Sequence, residues 1–227
     1  YRIAIKKKRE IMVFKENFYV GYSDINKECE LSNVSILRFF ENVACMHASL
    51  AKDGFYDTES KWFLTAYHVE LKSRPKYEKR VNVHTWSRDF KGIQACREFE
   101  ILDEEGNLLG AAISNWARIN MKTQRLERIT EALAEAYGNE PEKTNFDSLW
   151  IEKIKEPESF DFEKDYFIGR NYIDTNNHMN NVYYMELANF VLPDEVYALP
   201  ECKSFEINYK KAIPFGVNVK CLFTDTP

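Results

Sequence analysis

Asp174, Asn176 and His178 stand at alternate positions in the stretch NYIDTNNHMNNVYYMELANF, residues 171–190, and Asn180-Asn181-Val182 lead from them into an apolar run. Histidine titrates near neutral pH and can take or deliver a proton. The nearby aspartate can orient the loop or the histidine, or accept a proton itself. An asparagine amide both donates and accepts, so it can hold a water or a carbonyl oxygen without changing charge. A helix starting near Asn180–Val182 would add free backbone N–H groups and a partial positive charge, a setting that stabilises an oxygen becoming negative. Asp174, Asn176 and His178 are therefore the candidate catalytic residues, with Asn180, Asn181 and Val182 as the substrate-binding edge.

The same segment has an echo earlier in the chain. YSDINKECELSNVSILRFFENVA from Tyr22 parallels YIDTNNHMNNVYYMELANFV from Tyr172. Tyr22, Asp24 and Asn26 align with Tyr172, Asp174 and Asn176. After a first-copy loop longer by two residues, Asn33-Val34 aligns with Asn181-Val182. This alignment sets Glu28 against His178, so the first copy is not expected to be a second catalytic centre. Ile36, Phe39, Phe40, Val43, His47 and Leu50 recur at three- and four-residue steps and predict a helix. Ser32 or Asn33 would cap it, and Asn180 or Asn181 would cap its counterpart. Glu41, mid-helix beside apolar neighbours, could face the pocket, although exposure to solvent is the favoured expectation.

Period-two alternation predicts strands in RVNVHTW (Val81, Val83 and Thr85 on one face), SFEINYK and VNVKCLF. AAISNWARI sets Ala111, Ile113, Asn115, Ala117 and Ile119 on one face and Trp116 on the other. Glu105-Gly106-Asn107 predicts a hairpin turn, and TEALAEAYG a short helix closed by Gly138. Each half thus reads as a helix followed by an antiparallel sheet. The expected division is 1–138, a connector over 139–160, and 161–227. A sheet wrapped on one helix leaves an edge that pairing two such units would cover.

Composition narrows the classes. Apolar residues make up 44% and aromatics 15%, ample for a packed core. No run approaches the roughly 18 apolar residues of a membrane span. The opening YRIAIKKKREIMVF has its charges after the first apolar residues and is not expected to act as a signal peptide. With 31 basic against 36 acidic residues the net charge is −5, which argues against a nucleic-acid binder. Cys29, Cys45, Cys96, Cys202 and Cys221 form no C-x-x-C pair, so reduced thiols in a cytoplasmic setting are expected, not a disulfide framework or a zinc ribbon.

DTNNHMNNVYY resembles the D-x-N-x-H-x-N-N-x-x-Y segment of acyl-carrier-protein thioesterases. Ser114, Trp116, Asn120, Thr123 and Arg125-Leu126 are similar to that family's S-x-W-x-x-x-N-x-x-T-x-R-L pattern. HVELKSRPKYEKRVNVHTWSRDFKG resembles a further strand segment, so the likeness runs from Phe18 to Thr224. It implies an α+β fold, the tandem (double) hot-dog, with two long helices each wrapped by a curved antiparallel sheet. It also implies hydrolysis of a fatty-acyl thioester carried on the phosphopantetheine of acyl carrier protein, without metal or organic cofactor. Phe39, Phe40, Val43 and Met46 would then line the acyl pocket. Lysines and arginines of KSRPKYEKR, or Lys210 and Lys211, would dock the acidic carrier, and a homodimer is compatible with the pattern. The chain departs from the family where Ala212-Ile213 follows Lys210-Lys211, a place that commonly holds an acidic residue or cysteine. An acyl-CoA thioesterase, a hydratase or dehydratase on the same fold, and a non-catalytic acyl-binding protein remain alternatives.

Overall fold

The computed structural model describes residues 13–56 and 58–225; most of the basic opening segment weighed above as a leader, residues 1–12, lies outside them. The first half runs β1 (Phe14–Tyr19), α1 (Asn33–Leu50), β2 (Ser60–Leu71), β3 (Arg80–Lys91), β4 (Gln94–Leu102), β5 (Leu108–Asn120), β6 (Arg125–Leu126) and α2 (Glu131–Tyr137). The second half runs β7 (Phe162–Phe167), α3 (Tyr183–Val191), α4 (Asp194–Tyr197), β8 (Ser204–Asn208) and β9 (Asn218–Phe223). Ser32 is the N-cap of α1, its hydroxyl accepting from Ser35 N at 3.2 Å. Thr130 caps α2 in the same way, and Gly138 closes it in the left-handed conformation at φ 62°. The hairpin between β4 and β5 turns at Gly106, as its sequence implies, with φ 86°.

Strands pair antiparallel in the order β1-β3-β4-β5-β2-β8, with β6 beside β5; β7 and β9 form a separate pair. Helix α1 lies across the large sheet. Its Ile36, Phe39, Phe40 and Val43 pack against Val69, Val83, Phe99 and Ala112, and against Val182 and Met185 of the second half. Burying each large side chain contributes about 1.5–3 kcal/mol. α3 packs against β7 and β9 around Ile168, Met179, Leu187 and Val191. Two helix-on-sheet units in one chain make the double hot-dog.

Helix α3 of the second half is nine residues against the eighteen of α1. Pro193 follows Leu192, and a residue before proline is pushed out of helical geometry, which ends α3 early. Long helices in both halves is therefore corrected to one long and one short. The second half also lends β8 to the first: Ala66 to Glu70 pair with Asn208 to Ser204, so one sheet spans both halves.

AAISNWARI is buried on both faces from Ala111 to Asn115, not on one. The connector is the reason, because it lies as a strap over the outer face. Trp86 Nε1 donates to Lys143 O at 2.8 Å, Asn115 Nδ2 to Leu149 O at 2.9 Å, and Ile151 N to Asn115 Oδ1 at 2.8 Å. Fully buried Glu98 pairs with Arg88 at 2.9 Å and accepts from Asn145 N at 2.7 Å. Among the described residues no helix is long and apolar enough to cross a membrane.

Candidate functional site

The loop before α3 and the loop before α1 share one backbone design. Each opens on a short 3-10 turn, Arg170–Tyr172 and Tyr22–Asp24, after a glycine, Gly169 and Gly21. Asp174 N donates to His178 O at 2.9 Å, and Asn26 N to Glu30 O at 2.8 Å. Asn177 N donates to Asp174 O and Cys29 N to Asn26 O, both at 3.1 Å. Asn180 N donates to Tyr172 O and Ser32 N to Asp24 O, both at 2.9 Å. Asn177 and Cys29 take the left-handed conformation at φ 61° and 60°. Asparagine tolerates that region best after glycine, which explains Asn177.

These bonds match the two loops residue for residue without a gap, from Gly21 and Gly169 to Asn33 and Asn181. Asn26 corresponds to Asp174, Glu28 to Asn176 and Glu30 to His178. The alignment anchored on Tyr22 and Tyr172, with its two-residue gap and Glu28 opposite His178, is overturned. Shared residue types suggested it; the turn geometry decides otherwise.

A cavity of about 420 Å³ runs from the second loop along α1. Asp174, Thr175, Asn176, Asn180, Asn181 and Val182 line one end. Leu37, Glu41, Ala44, Cys45 and Ala48 of α1 form a wall about 16 Å long at 1.5 Å per residue. Trp62, Tyr67, Phe90, Trp116 and Tyr137 supply most of its aromatic lining. Five of the sequence-derived site residues thus converge on one cavity: Asp174, Asn176, Asn180, Asn181 and Val182.

His178 is not among the lining residues, and its ring Nδ1 is buried with no hydrogen-bond partner among the described residues. Its contact with the site is through the backbone, its N–H reaching Asp174 Oδ1 at 3.4 Å. Phe39, Phe40 and Val43 belong to the core, and Met46 is 42% exposed. None of the four lines the cavity, because the face of α1 that carries them packs into the core or points to solvent. The cavity takes the adjoining face, where Ala44 and Ala48 leave room.

Asp174 is held by its own loop. Oδ1 accepts from Asn176 N at 2.7 Å, and Oδ2 accepts from Asn176 Nδ2 at 3.3 Å. The start of α3 is not the open row of donors expected for it. Val182 N donates to Asn180 Oδ1 at 2.8 Å, and Tyr183, Tyr184 and Met185 N–H groups donate to Asn180, Asn181 and Val182 carbonyls. Among the described residues the Asn181 N–H alone in this turn has no acceptor. Tyr209 Oη donates to Asn181 O at 3.2 Å, tying the turn to the end of β8.

Glu41 bears out the less favoured of its two sequence readings. It faces the cavity, not solvent, and its Oε1 accepts from Asn180 Nδ2 at 2.8 Å. Burial pushes its carboxyl up, the Asn180 bond opposes this, and the charge of Asp174 raises it further. The spacing of Glu41 with Ala44, Cys45 and Ala48 was the available signal: a stripe of small residues beside the apolar one. The cavity thiols are no nucleophiles at neutral pH, since burial pushes Cys45 to about 11 and Cys96 to about 12.

Residues 11–137 match the family model described as the acyl-ACP thioesterase N-terminal domain, and residues 155–226 the one described as its C-terminal domain. The chain is 25% identical over 221 residues to oleoyl-acyl carrier protein thioesterase 2, chloroplastic, of Arabidopsis thaliana, covering 87% of this chain and 59% of that one. It is 25% identical to palmitoyl-acyl carrier protein thioesterase, chloroplastic, of Cuphea hookeriana, covering 88% and 52%. It therefore spans little more than half the length of these curated relatives. Among solved structures, an oleoyl thioesterase (putative) from Lactobacillus plantarum superposes with TM-score 0.80 at 19% identity, covering 93% of this chain and 83% of that one. A 12:0-ACP thioesterase from Umbellularia californica gives 0.80 at 19%, covering 95% and 88%.

Proposed function

The chain belongs to the acyl-ACP thioesterase family, and we propose that it hydrolyses acyl-acyl carrier protein to a free fatty acid and the carrier thiol. The observation that carries this reading is the continuity of the cavity, which joins the Asp174 loop of the second half to the apolar wall of α1 in the first. The acyl chain lies along Ala44, Cys45 and Ala48, gaining about 0.8 kcal/mol per buried methylene. The thioester lies at the loop, where Asp174 accepts the proton of the attacking water and the Asn176 amide faces the carbonyl oxygen. His178 acts through the loop that presents Asp174, as a positioning residue.

Carrier docking is assigned to Lys211, exposed two residues beyond Tyr209, which lines the cavity. Arg74 and Lys210 are engaged in ion pairs with Glu201 and Glu156, which leaves them less suited to this. The division 1–138, 139–160 and 161–227 is kept as the functional one, with substrate wall and reacting groups in different halves. A homodimer would pair the edge strands β1 or β8 of the described sheet, and light scattering reads it directly. Free Cys29, Cys45, Cys96, Cys202 and Cys221 support a reducing compartment, the cytoplasm in our reading, although the plant relatives are named chloroplastic.

Thiol release from dodecanoyl-ACP, with dodecanoyl-CoA as the competing substrate, tests the reading. Faster turnover of the carrier-bound thioester is expected. Equal or faster turnover of the coenzyme A ester would make this an acyl-CoA thioesterase, and tight chain binding without thiol release an acyl-binding protein.

A further inference from the structure

The two matched loops differ in what fills them. In the first copy, Glu201 from the second half enters the turn. Its Oε2 accepts from Asn33 N at 3.0 Å and from Asn26 Nδ2 at 3.2 Å, and Arg74 Nη1 lies 3.3 Å away. Asn33 is the counterpart of Asn181, whose N–H has no acceptor among the described residues, and Asn26 the counterpart of Asp174. Leu31 N donates to Pro75 O and Met179 N to Ile213 O, both at 2.8 Å, so Arg74 corresponds to Ala212. The first copy is thus an occupied version of the second, with a carboxylate oxygen held by a backbone N–H, an amide and a guanidinium.

Replacing Asn26 by Asp174 and Arg74 by Ala212 changes which guest the same position accepts. The Asn181 N–H still donates, but Asp174 Oδ2 now accepts, and a carboxylate there meets like charge. The guest must accept from one side and donate to the other, as water does. We infer that the attacking water of the proposed thioesterase reaction binds between Asp174 Oδ2 and the Asn181 N–H, at the point that Glu201 Oε2 fills in the first copy. Asn180 and Glu41 keep that N–H available: Asn180 Oδ1 takes the Val182 N–H, and Glu41 Oε1 holds the other end of the Asn180 amide.

The step balances without a redox partner. The water oxygen bonds to the thioester carbon and one of its protons passes to Asp174 Oδ2; the C–S bond breaks, the sulfur leaves with that proton, and the new acid loses its remaining proton to solvent. The product carboxylate then faces the ionised Asp174, which favours its release.

The inference rests on the thioesterase reading, and Asp174→Asn separates the two. This variant should fold, because Asn26 already builds the same turn. It rebuilds the backbone N–H and amide donors of the first copy, without the guanidinium, so its hydrolysis of dodecanoyl-ACP should fall at least ~100-fold. Its affinity for dodecanoate, followed by fluorescence of the cavity-lining Trp62 and Trp116, should rise about tenfold over the wild type. Asp174→Ala should lose hydrolysis without that gain. Dodecanoate affinity of Asp174→Asn that is unchanged or weaker, with wild-type turnover intact, overturns the water site while leaving the thioesterase reading standing. Absence of wild-type turnover on any acyl-ACP overturns the reading itself.

Discussion

The loop from Gly21 to Asn33 and the loop from Gly169 to Asn181 share a backbone and divide the labour. The first is closed by Glu201 and neutralised by Arg74, an ion pair whose Arg74 end is nearly sealed from water. The second keeps one amide N–H without a partner among the described residues, carries a carboxylate where the first has an amide, and opens onto the cavity. The same turn thus serves once as a fastening between halves and, in the proposed reading, once as a reaction site, with the exchanges of Asn26 for Asp174 and of Arg74 for Ala212 setting the charge of each. Duplication conserved the geometry; charge placement set the role.

The largest effect that would sharpen this contrast concerns Asn176. Asn176→Ala should lower kcat/KM on dodecanoyl-ACP on the order of 100-fold, the size of one lost oxyanion donor, about 3 kcal/mol. Its counterpart Glu28, changed to alanine, should leave the rate within twofold. A comparable loss from Glu28→Ala would break the division of labour.

Glu201→Ala should act on stability and not on rate. It removes the counter-charge of Arg74, which keeps its bonds to Leu31 O, Asn33 Oδ1 and Cys202 O, at a cost of about 2–3 kcal/mol, below that of a fully buried pair because Glu201 keeps some solvent contact. Urea denaturation reads the loss, and an unchanged midpoint would mean that the first loop is not a fastening. His178→Ala should reduce hydrolysis about tenfold, since its ring lies off the cavity and acts through the loop, whereas Glu30→Ala should be silent. A loss of 100-fold or more at His178 would give the ring a direct part in proton transfer.

A further contrast places acid sensitivity in the first half. Burial, helped by the Arg97 guanidinium, depresses His47 to about 3. Below its ordinary value of 6.5 the unfolded chain binds a proton that the folded chain refuses. Stability from this group is therefore full above pH 6.5 and falls as pH drops toward 3, by roughly 1.4 kcal/mol per unit. Melting temperatures of the wild type and His47→Gln between pH 7 and 4.5 should diverge in slope, the variant being flatter. Parallel slopes would remove His47 as the cause.

Much of this was legible in the residues. The stripe Ile36, Phe39, Phe40, Val43 and His47 marked α1, and alternation in SFEINYK marked β8, because burial on one face imposes its period on the chain. The duplication itself was visible, but its register was not. Matching Tyr22 to Tyr172 followed side-chain identity, while the turn is set by left-handed Cys29 and Asn177 and by backbone bonds that side-chain types do not reveal. The cavity-facing reading of Glu41 is the less favoured one in sequence because a mid-helix carboxylate is usually solvated, and the cavity that claims it is formed by residues distant in sequence. The two-sided burial of β5 escaped for a similar reason, since the strap that covers it starts nearly twenty residues later by the count from Asn120 to Asn139.

The asymmetry between the loops is tested most directly by exchanging their reciprocal residues, Asp174→Asn in one protein and Asn26→Asp in another, and measuring kcat/KM for dodecanoyl-ACP in each. Asp174→Asn should lose at least ~100-fold, the scale of a general-base contribution. Asn26→Asp, which sets a second carboxylate against Glu201, should weaken the fold yet keep the rate of the folded protein within about twofold of wild type. Losses of equal size in the two proteins, or near-normal turnover by Asp174→Asn, would contradict the assignment of one loop to fastening and the other to catalysis.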